Sequence, residues 1–215
     1  MLAMVMNSTQ QGTNMVVSSF LPFLAILNPF ALCLYLAGVM DDLRSGVFVK
    51  VLLRASVISL VAFWVFALMG EPLLVNFLGV KPEALRIFGG IVFFIIAYNY
   101  VTRGYKATEI LRGSLEELPS AIALPFMIGA GTITEAMLLG KRHGPYFSMF
   151  LIFLGLCVCF LVVVGFKLVK DCLKGEREKV FERYVNISSR INGLLIGAIS
   201  ADMVVSGIKK LWLQT

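Results

Sequence analysis

No Asp, Glu, Lys or Arg occurs in the first forty residues of this chain, and apolar stretches of comparable length recur along the rest of it. A helix needs about 20 apolar residues to cross the hydrocarbon of a bilayer. Six segments reach that length, approximately 16–40, 47–70, 84–102, 119–140, 145–167 and 190–208. In the second, Lys50 and Arg54 stand one turn apart near the start, where they snorkel to the interface. Pro72–Val80 reads as a short interfacial segment ahead of the third span. The sixth is interrupted by Asp202. Segments 41–46, 103–118 and 168–189 read as polar connections, the last dense in charge and expected to hold a short surface helix.

Composition agrees with this reading. Of 215 residues, 59% are apolar and 15% charged, with a mean hydropathy of +0.88. A soluble domain is about 45–50% apolar and about 25% charged, and one of this size buries too little of its surface to hide such an excess. A soluble enzyme, a disordered chain and a nucleic-acid binder are thereby disfavoured. A β-barrel needs alternating strands of about ten residues, and the apolar runs here do not alternate. The expected fold is an all-α polytopic membrane protein, a single transmembrane domain embedded in the lipid bilayer.

The net charge of +6 follows from topology. Thirteen Lys and Arg fall in or beside the connections after spans one, three and five, against six on the opposite side. The excess of basic residues marks the cytoplasmic side, which puts both termini outside the cytoplasm of a multi-pass inner or plasma membrane protein. Residues 2–40 lack the basic region of a signal peptide. Cys33, Cys157 and Cys159 lie in apolar runs and Cys172 just after one, so all four read as small apolar residues. With one histidine and scattered carboxylates, neither a metal site nor another cofactor is expected.

The chain also resembles itself. Leu21-Pro22-Phe23 recurs as Leu124-Pro125-Phe126 at an offset of 103, and Arg86-Ile87-Phe88-Gly89 recurs in part as Arg190-Ile191-Asn192-Gly193 at an offset of 104. Two matches in order, at nearly one offset, point to two copies of a three-span unit, about 16–102 and 119–210. Three is odd, so the second copy enters the bilayer from the opposite side. The expectation is a 3+3 inverted-topology repeat, the plan of many secondary transporters.

Both copies carry a helix-weak point near mid-span. In the first, Asn28-Pro29 removes an N–H and sets a ring against the Ala25 carbonyl. In the second, Gly129-Ala130-Gly131-Thr132-Ile133-Thr134 joins two glycines to two threonines. The first and fourth helices are therefore expected to be discontinuous. Irregular backbone at that depth is tolerated where it is buried in protein or lines a cavity, although a lone proline also makes simple kinks and glycines also serve close packing. Half-helix N-termini offer N–H groups to an anion and half-helix C-termini offer carbonyls to a cation. A zwitterion needs both. The candidate substrate-binding residues are Leu27, Asn28, Pro29, Phe30, Ala31, Gly129, Ala130, Gly131, Thr132 and Thr134.

These segments, with Leu85–Ile96 and Arg190–Gly193, resemble the MarC family of integral membrane proteins, which includes the SnatA-type small neutral amino acid transporters. The resemblance runs from about residue 16 to 210. It implies six spans, a 3+3 inverted repeat, discontinuous first and fourth helices, and transport of glycine, alanine, serine or threonine. The chain departs from the family pattern at Ala31, Leu34, Ala130, Asn99 and Asp202.

Three polar residues inside spans are candidates for coupling to a proton or sodium. An ionised Asp at a helix centre costs about 2.5–3.5 kcal/mol on insertion scales, so Asp202 is either an ion site or a structural hydrogen-bonding residue. Asn99 is nearly its repeat equivalent, and the two could form a polar pair; Glu135 couples or simply faces the outer surface. Arg86 and Arg190 read as interfacial anchors, and Gly193 and Gly197 as packing rather than dimerisation residues. The expected function is a secondary transporter of small neutral amino acids that works by alternating access. The alternatives are an exporter of other metabolites, as in LysE-type proteins, and an aquaporin-like channel suggested by Asn28-Pro29-Phe30-Ala31. No nucleotide-binding or catalytic motif appears, so an enzyme is not expected; a homo-oligomer is left open.

Overall fold

The computed structural model describes residues 18–77, 79–104, 115–173 and 176–213. Residues 16–17 of the first expected span, residues 105–114 of the second connection and Lys174 of the third lie outside them. All described elements are helical: α1 (18–27), α2 (Pro29–Asp42), α3 (Ser45–Pro72), α4 (Pro82–Arg103), α5 (Leu118–Ile122), α6 (Ala130–His143), α7 (Pro145–Cys172) and α8 (Glu176–Leu213). Pro29, Pro82 and Pro145 open α2, α4 and α7, positions where an N–H has no intrahelical partner to lose. A π-helical turn (Leu73–Phe77) follows α3, whose backbone already leaves helical geometry at Gly70, and the segment Ala123–Met127 after α5 is broken at the extended Leu124.

Five segments (α1 together with α2, then α3, α4, α7 and α8) are long and apolar enough to cross a membrane, and Leu118–Met127 with Ala130–His143 meets the same measure only as a pair bent by 72°. Their surface supports the same conclusion. Phe88, Phe94 and Ile95 on α4 and Leu194, Leu195 and Ile199 on α8 are all more than half exposed. An apolar face of that extent suits lipid and not water.

The third connection is shorter than expected from sequence. α7 continues to Cys172, and α8 is one helix from Glu176, so the segment 176–189 is the beginning of the last span rather than a separate surface helix. No proline or glycine falls between Glu176 and Asn192, and nothing there stops a helix that the apolar half propagates. At 38 residues and about 1.5 Å per residue, α8 projects well past the hydrocarbon.

The helices form two groups. The main core joins α1, α2, α3, α5, α6 and α7 around Phe23, Phe48, Phe63, Leu36, Met40 and Leu151, all fully buried. α2 is central, with nine of its fourteen residues buried. α4 and α8 run antiparallel alongside. A Cβ on Gly90 would lie 2.9 Å from the Ser200 carbonyl, one on Gly193 3.2 Å from the Ala97 carbonyl, and one on Gly207 3.2 Å from the Glu83 carbonyl. Such glycines let helix backbones approach closely where lipid gives no hydrophobic drive for association. Gly193 and Gly197 thus pack within the chain, both beside Ala97. The α4–α8 pair meets the core where Gly89 faces Ala130 and where the Tyr100 hydroxyl donates to the Tyr35 carbonyl at 3.0 Å. The four cysteines are free.

Candidate functional site

Asn28 separates α1 from α2. It adopts the left-handed region at φ 46°, ψ 74°, which Asn tolerates better than most non-glycine residues. Its backbone N–H donates to the Leu24 carbonyl at 2.9 Å, and its side-chain oxygen accepts from the Ala31 N–H at 3.1 Å. One residue thus closes α1 and caps α2. Pro29 has no N–H to offer the Ala25 carbonyl, so that carbonyl loses its usual intrahelical donor.

The second interruption is built differently. Gly129 precedes α6 in an extended conformation at φ −124°, ψ 170°. The Gly129 N–H donates to the Thr132 hydroxyl at 2.8 Å. That hydroxyl lies within donating distance of the Gly129 and Met127 carbonyls, at 2.9 and 3.0 Å. Thr134 donates to the Ala130 carbonyl at 2.7 Å. Neither glycine has room to spare. A Cβ at Gly129 would meet the Phe93 ring at 2.7 Å, and one at Gly131 would meet Ile26 at 3.2 Å.

The two interruptions meet at a cavity of about 440 Å³, within the range of small-ligand sites. Leu27, Asn28 and Ala31 line it from one side, and Gly129, Ala130, Gly131, Thr132 and Thr134 from the other. Glu135 lines it as well. Pro29 and Phe30 do not, and Phe30 is 58% exposed. Asn99 and Asp202 also lie off the cavity. Asn99 donates to the Ile95 carbonyl of its own helix at 2.9 Å, and Asp202 is exposed. The antiparallel register sets Asn99 near the level of Gly193 and Asp202 near that of Gly90, so the structure does not bring these two together.

Arg86, Tyr35, Phe93, Phe126 and Met203 also line the cavity. Arg86 falls in the first turns of α4, where sequence alone suggests an interfacial anchor. Its one distinguishing signal is that it lies inside α4, a turn beyond Glu83 and ahead of the apolar run 87–98. Tyr35 packs against Tyr100 at 4.7 Å and Phe126 at 5.1 Å with tilted rings, forming an aromatic floor. The cavity therefore offers the N-terminus of α6 and a guanidinium to a negative group, with the end of α1 and one carboxylate for a positive group. Among the described residues no cluster of three metal-binding side chains occurs.

The chain matches the model of the MarC family integral membrane proteins over residues 13–212. It is similar to a UPF0056 membrane protein of Aquifex aeolicus, 30% identical over 91% of this chain and 92% of the relative. A UPF0056 membrane protein of Pyrococcus abyssi is 27% identical over 86% of this chain and 90% of its own length. The Escherichia coli UPF0056 membrane protein YhcE is 24% identical over 88% and 90%. No solved structure matches. A match spanning the helices, the interruptions and the cavity makes this chain an integral membrane protein of the MarC family.

Proposed function

We propose that this protein is a secondary transporter of small neutral amino acids of the SnatA type, working by alternating access. The observation that carries the reading is the cavity where two interrupted spans meet. A free amino acid presents a carboxylate and an ammonium a few ångströms apart. The N-terminal end of α6 and the Arg86 guanidinium suit the carboxylate, and the carbonyl end of α1 and Glu135 suit the ammonium. Ala31, Ala130 and Gly131 at the lining favour a short side chain.

The 3+3 inverted repeat belongs to the same proposal. Three features support it: α2 and α6 have 14 residues each, the second and fifth spans, Ser45–Gly70 and Pro145–Cys172, are of similar length, and the third and sixth spans pack antiparallel. By the distribution of Lys and Arg, the Asp41 end of the molecule faces the cytoplasm. Coupling to a proton or sodium is assigned to Glu135, the one of the three candidates beside the cavity.

The test is equilibrium binding to purified protein in detergent. L-alanine, glycine, serine and threonine should displace one another. Propionate, which lacks the ammonium, and ethylamine, which lacks the carboxylate, should not compete. Competition by either analogue as strong as that of alanine would reject recognition of both ends.

A further inference from the structure

α2 begins at the cavity and ends in a polar cluster that plays no part in the proposed substrate site. Its last turn carries Asp41 and Asp42 and no basic residue, an unfavourable arrangement for the negative end of a helix dipole. The missing positive charge comes from α7. Lys167 is 4% exposed and donates to the Met40 carbonyl and to Asp171, each at 2.6 Å. Lys170 is 7% exposed, donates to the Ala37 carbonyl at 3.0 Å and pairs with Asp41. Ser45, the first residue of α3, donates to Asp171. Two ammonium groups on α7 thus bind two carbonyls at the end of α2, and one of them also pairs with its Asp41, while the other is held by Asp171 of its own helix.

Lysine is among the residues least often buried, and a pair of them is retained at a cost in desolvation. Plain packing would fill this seam with apolar side chains, as it does deeper along the helices, where the Cys33 thiol reaches towards the Val162 carbonyl at 4.0 Å. We propose that Lys167 and Lys170 are positioning residues that clamp the C-terminal end of α2 to α7, and that this clamp parts when the cavity opens towards the Asp41 end. Four properties fit that role. The contacts are polar and reversible, and they join two helices from different halves of the chain. They act on the helix whose other end lines the cavity. They also lie beyond the aromatic floor of Tyr35, Tyr100 and Phe126, on the side away from Arg86 and Glu135. The inference rests on the transport reading, yet its first test needs no substrate.

The experiment is alkylation of Cys33, which is 1% exposed in the α2–α7 seam, by a maleimide on full-length protein in liposomes, resolved by peptide mass spectrometry. Lys167→Met/Lys170→Met should speed Cys33 labelling about tenfold, because loss of the clamp shifts the population towards an open seam. Asp41→Asn/Asp171→Asn, which keeps the lysine–carbonyl bonds, should speed it about threefold. Both aspartates are about one third exposed, so that pair tests the clamp even if the lysine variant fails to fold. In the same liposomes, loss of the clamp should change the maximal rate of alanine exchange more than its KM. Labelling at the wild-type rate in either folded variant overturns the proposal. Faster labelling without any alanine exchange, in wild type as well, would keep the clamp and reject the substrate.

Discussion

α2 and α6 both start at the cavity, and both have 14 residues, yet they are held in place by different chemistry. α2 starts from a side-chain cap, Asn28, and ends on the two lysines of α7. α6 starts from a glycine backed by the Thr132 hydroxyl. Near its other end Gly140 lies so close to α3 that a Cβ there would overlap the Ala67 carbonyl, and His143 hydrogen-bonds Ser19 at 2.6 Å. Polar interactions in a low dielectric are few and strong, and they exchange as a unit. Close backbone packing is the sum of many weak attractions, and it fades gradually as helices separate. The Asp41 end is thus built to switch, whereas the His143 end is built to fit.

Substitutions that fill space on the α6 side should have the largest effects. Gly131→Leu sets a Cβ 3.2 Å from Ile26 and directs the remaining atoms at the cavity. It should weaken alanine binding about a hundredfold, measured by radioligand competition, while Ile26 gives way and the melting temperature falls less than in Gly140→Val. Gly140→Val must push α6 from α3 and should cost about 2 kcal/mol of stability, read by thermal melting in detergent. A melting temperature equal to wild type would show that the α3–α6 contact is looser than the geometry states.

Cap substitutions should be milder, and they distinguish the two interruptions. Asn28→Ala loses the hydrogen bond to Ala31 and places alanine at positive φ, at a cost of about 1–2 kcal/mol. Asn28→Gly should recover most of it, since glycine accepts that conformation. If both variants melt together, the side-chain cap is the whole contribution of Asn28. Thr132→Val should cost about 1 kcal/mol on the α6 side. The smallest effect expected is that of Asp202→Asn, which lies off the cavity. Its uptake should respond to imposed proton or sodium gradients as wild type does, whereas Glu135→Gln should lose that response.

The long apolar helices and the local backbone departures at Asn28 and Gly129 were legible because their causes are local. Charge-free length marks a crossing helix, and a missing N–H at Pro29 or a pair of glycines at 129 and 131 acts on its own turn. What escaped depends on partners distant in sequence. Nothing near Lys167 and Lys170 reveals that they end another helix 127–133 residues earlier. Arg86 looks like any charge near a span terminus until α4 is laid beside α6. The separation of Asn99 from Asp202 follows from the α4–α8 register, which glycine positions set and repeat offsets do not.

Transport itself is tested most directly by uptake of radiolabelled glycine, alanine, serine and threonine into proteoliposomes under imposed proton and sodium gradients in turn. Saturable accumulation that collapses when one of the two gradients is dissipated is the expected result. Absence of accumulation of all four under both gradients, from protein verified as folded, would contradict it.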